Sequence, residues 1–205
     1  MDEKSMKFLF PLIFLFSGVS MAIEEPDYTI VSKTEAYEIR NYGPLFVAET
    51  QVDADFENAG NQAFRILAGY IFGSNKSKTK IAMTAPVSQQ DQSEKIEMTA
   101  PVTQLKSGSK YLVQFTMPKN YNLNNLPTPN DSRVHLREVP ARKVAVFTYS
   151  GSWSASRYQE KLQVFLTALK KDQIVPLGEP VLARYDSPFR LWLLRRNEIW
   201  IEIAP

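Results

Sequence analysis

The sequence YEIRNYGPLFVAETQV, residues 37–52, contains two short alternating stretches separated by a turn. Apolar and polar residues alternate over residues 37–40 and again over residues 45–52, a period of two that is typical of half-buried β-strands. Gly43 and Pro44 lie between the two stretches, and this pair of residues favours a turn. The stretch therefore predicts two strands joined as a hairpin.

The same pattern returns 97 residues further along the chain. Val134-His135-Leu136-Arg137 corresponds to Tyr37-Glu38-Ile39-Arg40, and Pro140-Ala141 stands in the place of the first turn. The stretch Lys143–Tyr149 then corresponds to residues 45–52. A second strand pair is therefore predicted.

A helical pattern follows each strand pair. Asp53 or Asp55 can cap a first helix that runs to about Phe72, and Ser154 can cap a second helix that runs to about Lys171. Both segments carry apolar residues at helical spacing, namely Phe56, Ala59, Ala63, Phe64, Leu67 and Ile71, then Tyr158, Leu162, Phe165, Leu166 and Leu169.

The segment after the first helix contains one phrase twice. KIAMTAPV at residues 80–87 returns as KIEMTAPV at residues 95–102, with only polar residues between the copies. Alternating apolar residues predict a hairpin in which Met83 lies opposite Met98. Such a hairpin either closes a sheet or lines a pocket for a flat apolar ligand with its two thioethers.

Further alternating stretches predict strands at Tyr111–Met117, Gly178–Tyr185 and Leu191–Ile203. The chain then consists of two strand-strand-helix-strand-strand (ββαββ) units that begin near residues 28 and 133. Neither unit could cover both faces of its sheet alone, so the two should share one core. Residues 23–205 are therefore expected to form a single α+β domain.

Composition excludes several classes of function. The 205 residues carry a net charge of +2, and their basic residues are scattered, which argues against a nucleic-acid-binding surface. There is no cysteine and only one histidine, His135, so disulfides, thiolate metal sites and a cysteine nucleophile are excluded.

The N-terminal 22 residues have the pattern of a signal peptide. Lys4 and Lys7 precede an apolar run over residues 8–19, and Ser20 and Ala22 are small residues at the positions that a signal peptidase reads. We expect cleavage after Ala22 and an exported protein, periplasmic or secreted, that has no stable membrane anchor after cleavage. The alternative is an uncleaved membrane anchor.

Several motifs together resemble the SOUL haem-binding family. They are the paired MTAPV phrases, the helix ending GYIFGSN at residues 69–75, the RRNEIW phrase at residues 195–200 and the opening YEIRNY at residues 37–42. The resemblance covers residues 27–203. It implies a pseudo-two-fold α+β barrel in which two ββαββ units form eight mostly antiparallel strands flanked by two helices, the architecture that GyrI-like domains share.

The resemblance also implies non-covalent binding of haem or another tetrapyrrole in an apolar cleft. Matching the helix ending places Asn61, Phe64 and Ala68 against the ligand, where the family pattern has an arginine in place of Asn61 and a methionine in place of Phe64. Arg190, in the loop that follows Tyr185, takes the basic position that meets a propionate.

Iron ligation has three candidate residues. His135 could be an axial haem ligand, although a lone histidine on a strand is more often a surface residue. Met83 and Met98 could ligate iron through their thioethers or simply line the site.

The RRNE phrase at residues 195–198 has two interpretations. A glutamate near two arginines can have a shifted pKa and act in catalysis. Ion pairs that fasten the loop to the barrel are the structural alternative, and we favour it.

We therefore expect a monomeric, non-enzymatic protein that binds a tetrapyrrole for storage, scavenging or transfer. The alternatives are a GyrI-like small-molecule sensor or hydrolase, for which Glu35, Glu38, Glu179 and Glu198 are the available carboxylates, and a module that binds a peptide in its cleft.

Overall fold

The computed structural model describes residues 23–78 and 93–205. The signal-peptide prediction for residues 1–22, the first copy of the repeated phrase and its Met83 lie outside the described residues. The predicted hairpin that pairs Met83 with Met98 therefore lies partly outside them.

The described chain forms two α-helices and eleven short or long β-strands. The strands are β1 (Tyr28–Lys33), β2 (Glu38–Tyr42), β3 (Leu45–Val52), β4 (Asn75–Lys76), β5 (Val102–Ser107), β6 (Lys110–Thr116), β7 (Thr128–Pro129), β8 (His135–Val139), β9 (Arg142–Ser150), β10 (Val181–Arg184) and β11 (Arg196–Glu202). Helix α1 spans Phe56–Ile71 and helix α2 spans Ala155–Lys171, with a 3-10 turn at Trp192–Leu194.

Nine strands form one curled antiparallel sheet in the order β1-β2-β9-β11-β10-β5-β6-β3-β8. The equivalent strands of the two units are β2 and β8, β3 and β9, β5 and β10, and β6 and β11. Outward from the central β10–β5 pair, equivalent strands follow in the same order on both sides, and the edge strand β1 is extra. The first two strands of each unit begin 97 residues apart, at Glu38 and His135 and at Leu45 and Arg142. The predicted α+β fold of two ββαββ units is therefore confirmed, with β1 as an additional strand.

The two predicted strand pairs do not form hairpins. β2 pairs with β1 and β9, whereas β3 pairs with β6 and β8. The turn at Gly43 and Pro44 carries the chain from one part of the sheet to another. Each unit therefore contributes a strand that pairs with the other unit, β2 with β9 and β8 with β3. This exchange is a physical reason for the shared core.

Capping and apolar spacing fix both helices as predicted. The carboxylate of Asp55 accepts hydrogen bonds from the backbone N–H groups of Glu57 and Asn58, and the Ser154 hydroxyl accepts from Arg157 N–H. The buried side of α1 packs on β3 and β6, and that of α2 packs on β9, β10 and β11. Both helices therefore lie on the same face of the sheet.

Two predicted strands are wrong in part. Residues 95–101, most of the second copy of the repeated phrase, form an irregular segment outside the sheet, and strand β5 begins only at Val102. Residues 191–195 form a loop with a 3-10 turn, because Leu194 N–H bonds to Leu191 C=O and Arg195 folds back on the loop carbonyls. Strand β11 begins only at Arg196.

Candidate functional site

One side of helix α1 presents apolar atoms to the surface. Gly60, Phe64, Ala68 and the C-cap residue Phe72 recur at intervals of four residues on neighbouring turns, with Asn61 beside them; Gly60 and Ala68 are buried, so the apolar exposure comes from Phe64 and Phe72. Phe64 is 36% exposed and Phe72 is 60% exposed. This surface, called the α1 strip, spans about 18 Å at a rise of 1.5 Å per residue.

The floor beside the α1 strip comes from β6 and the segment before β5. The Phe64 ring lies 5.4 Å from the Phe115 ring of β6. Ile96 N–H donates to Ile71 C=O at 2.8 Å, and the Thr99 hydroxyl donates to the Thr116 carbonyl. These bonds hold Met98, which is 38% exposed, in the segment that joins the end of α1 to the C-terminal end of β6.

Arg184 lies at the N-terminal end of the α1 strip. Its guanidinium packs so tightly on the helix that a Cβ atom on Gly60 would overlap with both of its terminal nitrogens. Nη2 donates to the Gln104 side-chain oxygen at 2.6 Å. Across residues 23–78 and 93–205, Arg184 has no carboxylate partner, so it is a half-buried cation with uncompensated charge.

A tryptophan and a second arginine extend this basic end. The Arg184 guanidinium carbon lies 5.3 Å from the Trp153 ring centroid, and that of Arg195 lies 4.2 Å from the same ring. Arg195 donates only to backbone carbonyls in the described chain, those of Pro188 and Arg190. Arg184, Trp153 and Arg195 are called the arginine cluster, and two of its members can receive an anion.

Two buried polar atoms at the cluster have no partner among the described residues. They are Nε of Arg184 and the hydroxyl of Tyr149, which is 7% exposed. Burial raises the pKa of Tyr149 to about 12, and it lowers the pKa of Arg184 to about 10. At neutral pH both groups are therefore protonated donors, and a carboxylate or water oxygen that reached them would satisfy them.

The predicted binding residues do not all lie in the same part of the structure. It brings Asn61, Phe64 and Ala68 together on the α1 strip, with Asn61 exposed and Ala68 buried. Arg190 is an exposed residue of the loop, and its guanidinium bonds to Asp186 at 2.7 Å. A cation already paired within its own loop is less available to a ligand than Arg195 is.

His135 lies away from the α1 strip. Its neighbour Leu136 packs against the core beneath α1, so His135 projects from the opposite face of the sheet, opposite Glu49 in the register of β3 and β8. It is exposed there. No cluster of three or more His, Asp or Glu side chains with metal-binding geometry occurs in the described ranges.

The sequence pattern does not identify Trp153, Tyr149 and Arg184 as site residues. The sequence feature that could have indicated Arg184 is its position as a basic residue at the end of a buried strand, directly after Leu182 and Ala183. Its lack of an acidic partner depends on which strands are neighbours, and the pattern of one strand does not reveal that.

Glu198 belongs to a separate buried cluster on the other face of the sheet. It is fully buried and accepts hydrogen bonds from Arg40, Arg196, Tyr185, Trp200 and Thr148 at 2.7–3.4 Å. These donors occupy the lone pairs of the carboxylate, and burial raises the pKa of the Tyr185 hydroxyl. The arrangement is that of a structural ion pair.

The other carboxylates considered for hydrolysis are either paired or exposed. The Lys33 ammonium lowers the pKa of Glu38, which also pairs with Arg40. Glu35 and Glu179 are exposed. A general base requires a carboxylate poised in a cleft, and none of these three is so placed.

Solved structures share the fold at low sequence identity. The C-terminal domain of EcmrR is 11% identical, with a TM-score of 0.58, over 86% of this chain and 98% of that chain. A hydrolase from Listeria innocua is 10% identical, with a TM-score of 0.56, over 85% of this chain and 94% of that chain. These likenesses define the class of fold, a curled α+β sheet with two helices on one face.

Sequence relatives identify the family. The family described as SOUL heme-binding protein matches residues 23–202. Heme-binding protein 2 of Homo sapiens is 32% identical over 81% of this chain and 77% of its own length, and heme-binding protein 1 of Xenopus tropicalis is 26% identical over 91% and 93%. The chain belongs to the SOUL heme-binding protein family.

Proposed function

We propose that this protein binds haem or a related tetrapyrrole non-covalently, with the macrocycle on the α1 strip and its carboxylates toward the arginine cluster. The proposal depends above all on the uncompensated Arg184 at the end of an exposed apolar surface. Family membership and the names of the relatives support the same ligand class.

The chemistry of a tetrapyrrole suits both parts of this surface. Its macrocycle is flat and apolar, so burial against the exposed side chains of Phe64 and Met98 removes apolar area from water. Its carboxylates lie at one edge, where Arg184 and Arg195 can form charge-assisted hydrogen bonds.

The proposal includes no histidine ligand to iron, since His135 lies on the opposite face of the sheet. Apolar contact and carboxylate pairing supply the binding free energy. The role is that of a non-enzymatic binder for storage, scavenging or transfer.

Export and monomeric state are part of this proposal. The pattern of residues 1–22 supports export to the periplasm or medium. In the described ranges, neither helix has the length and hydropathy that a membrane span requires.

Phe64→Glu is expected to abolish saturable haem binding, because it places a carboxylate on the α1 strip, against the apolar macrocycle, and repels the propionates. Absorption titration of the Soret band with residues 23–205 measures the effect. Val164→Glu is the matched control, since Val164 is 50% exposed on α2 and lies outside the site. Equal binding by both variants would contradict a ligand on the α1 strip.

Gly60→Ala is expected to lower haem affinity about tenfold without loss of stability. The added methyl group must displace the Arg184 guanidinium, and alanine stabilises a helix by about 1 kcal/mol relative to glycine. Gly69→Ala is the control, because it brings the same gain in helix propensity and its nearest neighbour is Ser74 Oγ at 3.9 Å. Equal haem affinity in the two variants would show that the position of Arg184 does not matter.

A further inference from the structure

The loop of residues 186–195, called the apolar loop, exposes five large hydrophobic side chains. They are Phe189 at 95% exposed, Leu191 at 64%, Trp192 at 59%, Leu193 at 52% and Leu194 at 52%. Single exposed apolar residues are common on soluble proteins, but five within six positions form a contiguous patch that marks an interaction surface.

Hydrogen bonds within the loop fix the conformation of the backbone that carries these side chains. The Arg195 guanidinium donates to Pro188 C=O at 2.6 Å and to Arg190 C=O at 3.0 Å. Asp186 accepts from Arg190 at 2.7 Å and from Arg196 N–H at 2.5 Å. These bonds hold the loop backbone, from which the five hydrophobic side chains project into solvent.

The surroundings of the apolar loop are basic. Arg195 and Arg184, which both lie beside the Trp153 ring, have no carboxylate partner among the described residues. Arg157 donates to Ser150 C=O and interacts electrostatically with Glu160, and Ser150 pairs with Arg196 in the sheet. Arg190 neutralises Asp186. The patch therefore combines aromatic and aliphatic tips with an excess of positive charge.

We propose that the apolar loop inserts into the interfacial region of an anionic lipid bilayer. Aromatic and leucine side chains enter the boundary between headgroups and acyl chains, while arginines beside them contact lipid phosphates. A Phe189 side chain that is 95% exposed projects into solvent, which suits insertion into a fluid surface.

Membrane contact would also place the tetrapyrrole site next to a lipid bilayer, and this part of the inference rests on the proposed function. Arg195 both shapes the apolar loop and flanks Trp153 in the arginine cluster. The basic end of the α1 strip would then lie beside the bilayer, where an amphiphilic tetrapyrrole partitions. The loop would bring the site to a membrane-dissolved ligand.

Co-sedimentation with vesicles made of equal parts of phosphatidylcholine and phosphatidylglycerol tests the inference. The double variant Phe189→Ser/Leu191→Ser is expected to bind these vesicles at least about tenfold more weakly than residues 23–205 of the natural sequence. Val175→Ser/Leu177→Ser is the control, since its two apolar residues are 71% and 58% exposed in another part of the chain. Replacing phosphatidylglycerol by phosphatidylcholine should also weaken binding.

Three results would overturn the inference. They are no sedimentation of the natural sequence with vesicles, equal loss in the control variant, and a self-association in solution that the loop variant alone abolishes, which would assign the patch to a second copy. Haem titration of the same proteins separates the two proposals. Vesicle binding without haem binding would leave the membrane contact standing and contradict the proposed function.

Discussion

Arg184→Gln is expected to weaken haem binding about 10- to 100-fold while changing the free energy of unfolding by less than about 1 kcal/mol. The expected loss of affinity is that of a charge-assisted hydrogen bond to a ligand carboxylate. Absorption titration measures the affinity, and urea unfolding followed by circular dichroism measures the stability.

The small change in stability follows from the surroundings of Arg184. Because burial lowers the pKa of its guanidinium and no carboxylate among the described residues compensates it, the charge is unfavourable in the folded protein. Glutamine removes this cost and loses the hydrogen bond to Gln104, and the two effects oppose each other. If Arg184 served folding alone, its substitution would lower the stability of the protein and leave its haem affinity unchanged.

Arg137→Gln is the matched control. It removes one positive charge from β8, where Arg137 pairs with Glu49 at 3.1 Å on the sheet face opposite α1. Equal losses of haem affinity in the Arg137 and Arg184 variants would indicate a general effect of net charge and contradict the assigned role.

Glu198→Gln is expected to destabilise the fold by about 3–5 kcal/mol, which corresponds to a fall in Tm of roughly 6–20 °C. The substitution removes the charge that Arg40 and Arg196 face and points an amide N–H₂ at donors. Arg40 is 4% exposed and cannot turn to water for compensation. Urea unfolding with an unchanged dependence on denaturant concentration would measure the loss.

Glu25→Gln is the control for this cluster. Glu25 pairs with the same Arg196 but has a side chain that is 37% exposed, so its removal should cost less than about 1 kcal/mol. A loss of less than about 1 kcal/mol in Glu198→Gln would show that its buried ion pairs contribute little to stability.

The sequence predicts the repeat units well because periodicity and capping are local properties. Asp55 and Ser154 cap the helices where their side chains can reach free N–H groups, and the spacing of 97 residues survives in the strands themselves. Strand pairing is less predictable. The exchange of β2 and β8 between the units depends on contacts between segments about a hundred residues apart.

Sequence patterns likewise predict one part of the candidate site and miss the other. Helical spacing predicts Phe64 as part of the apolar stripe of α1, and the match of the helix ending to the family pattern is what assigns Phe64 and Ala68 to one ligand-facing surface. The arginine cluster does not follow from any local pattern, because Trp153, Arg184 and Arg195 come from three separate parts of the chain. The apolar residues at 191–194 predict a strand, and hydrogen bonds from Arg195 to its own loop prevent that conformation.

Titration of residues 23–205 with haem, followed at the Soret band for the natural sequence and for Arg184→Gln, is the sharpest test of the proposed site. We predict saturable one-to-one binding by the natural sequence and about 10- to 100-fold weaker binding by the variant. No saturation by the natural sequence, or the same affinity in both proteins, would contradict a tetrapyrrole site that the α1 strip and the arginine cluster form together.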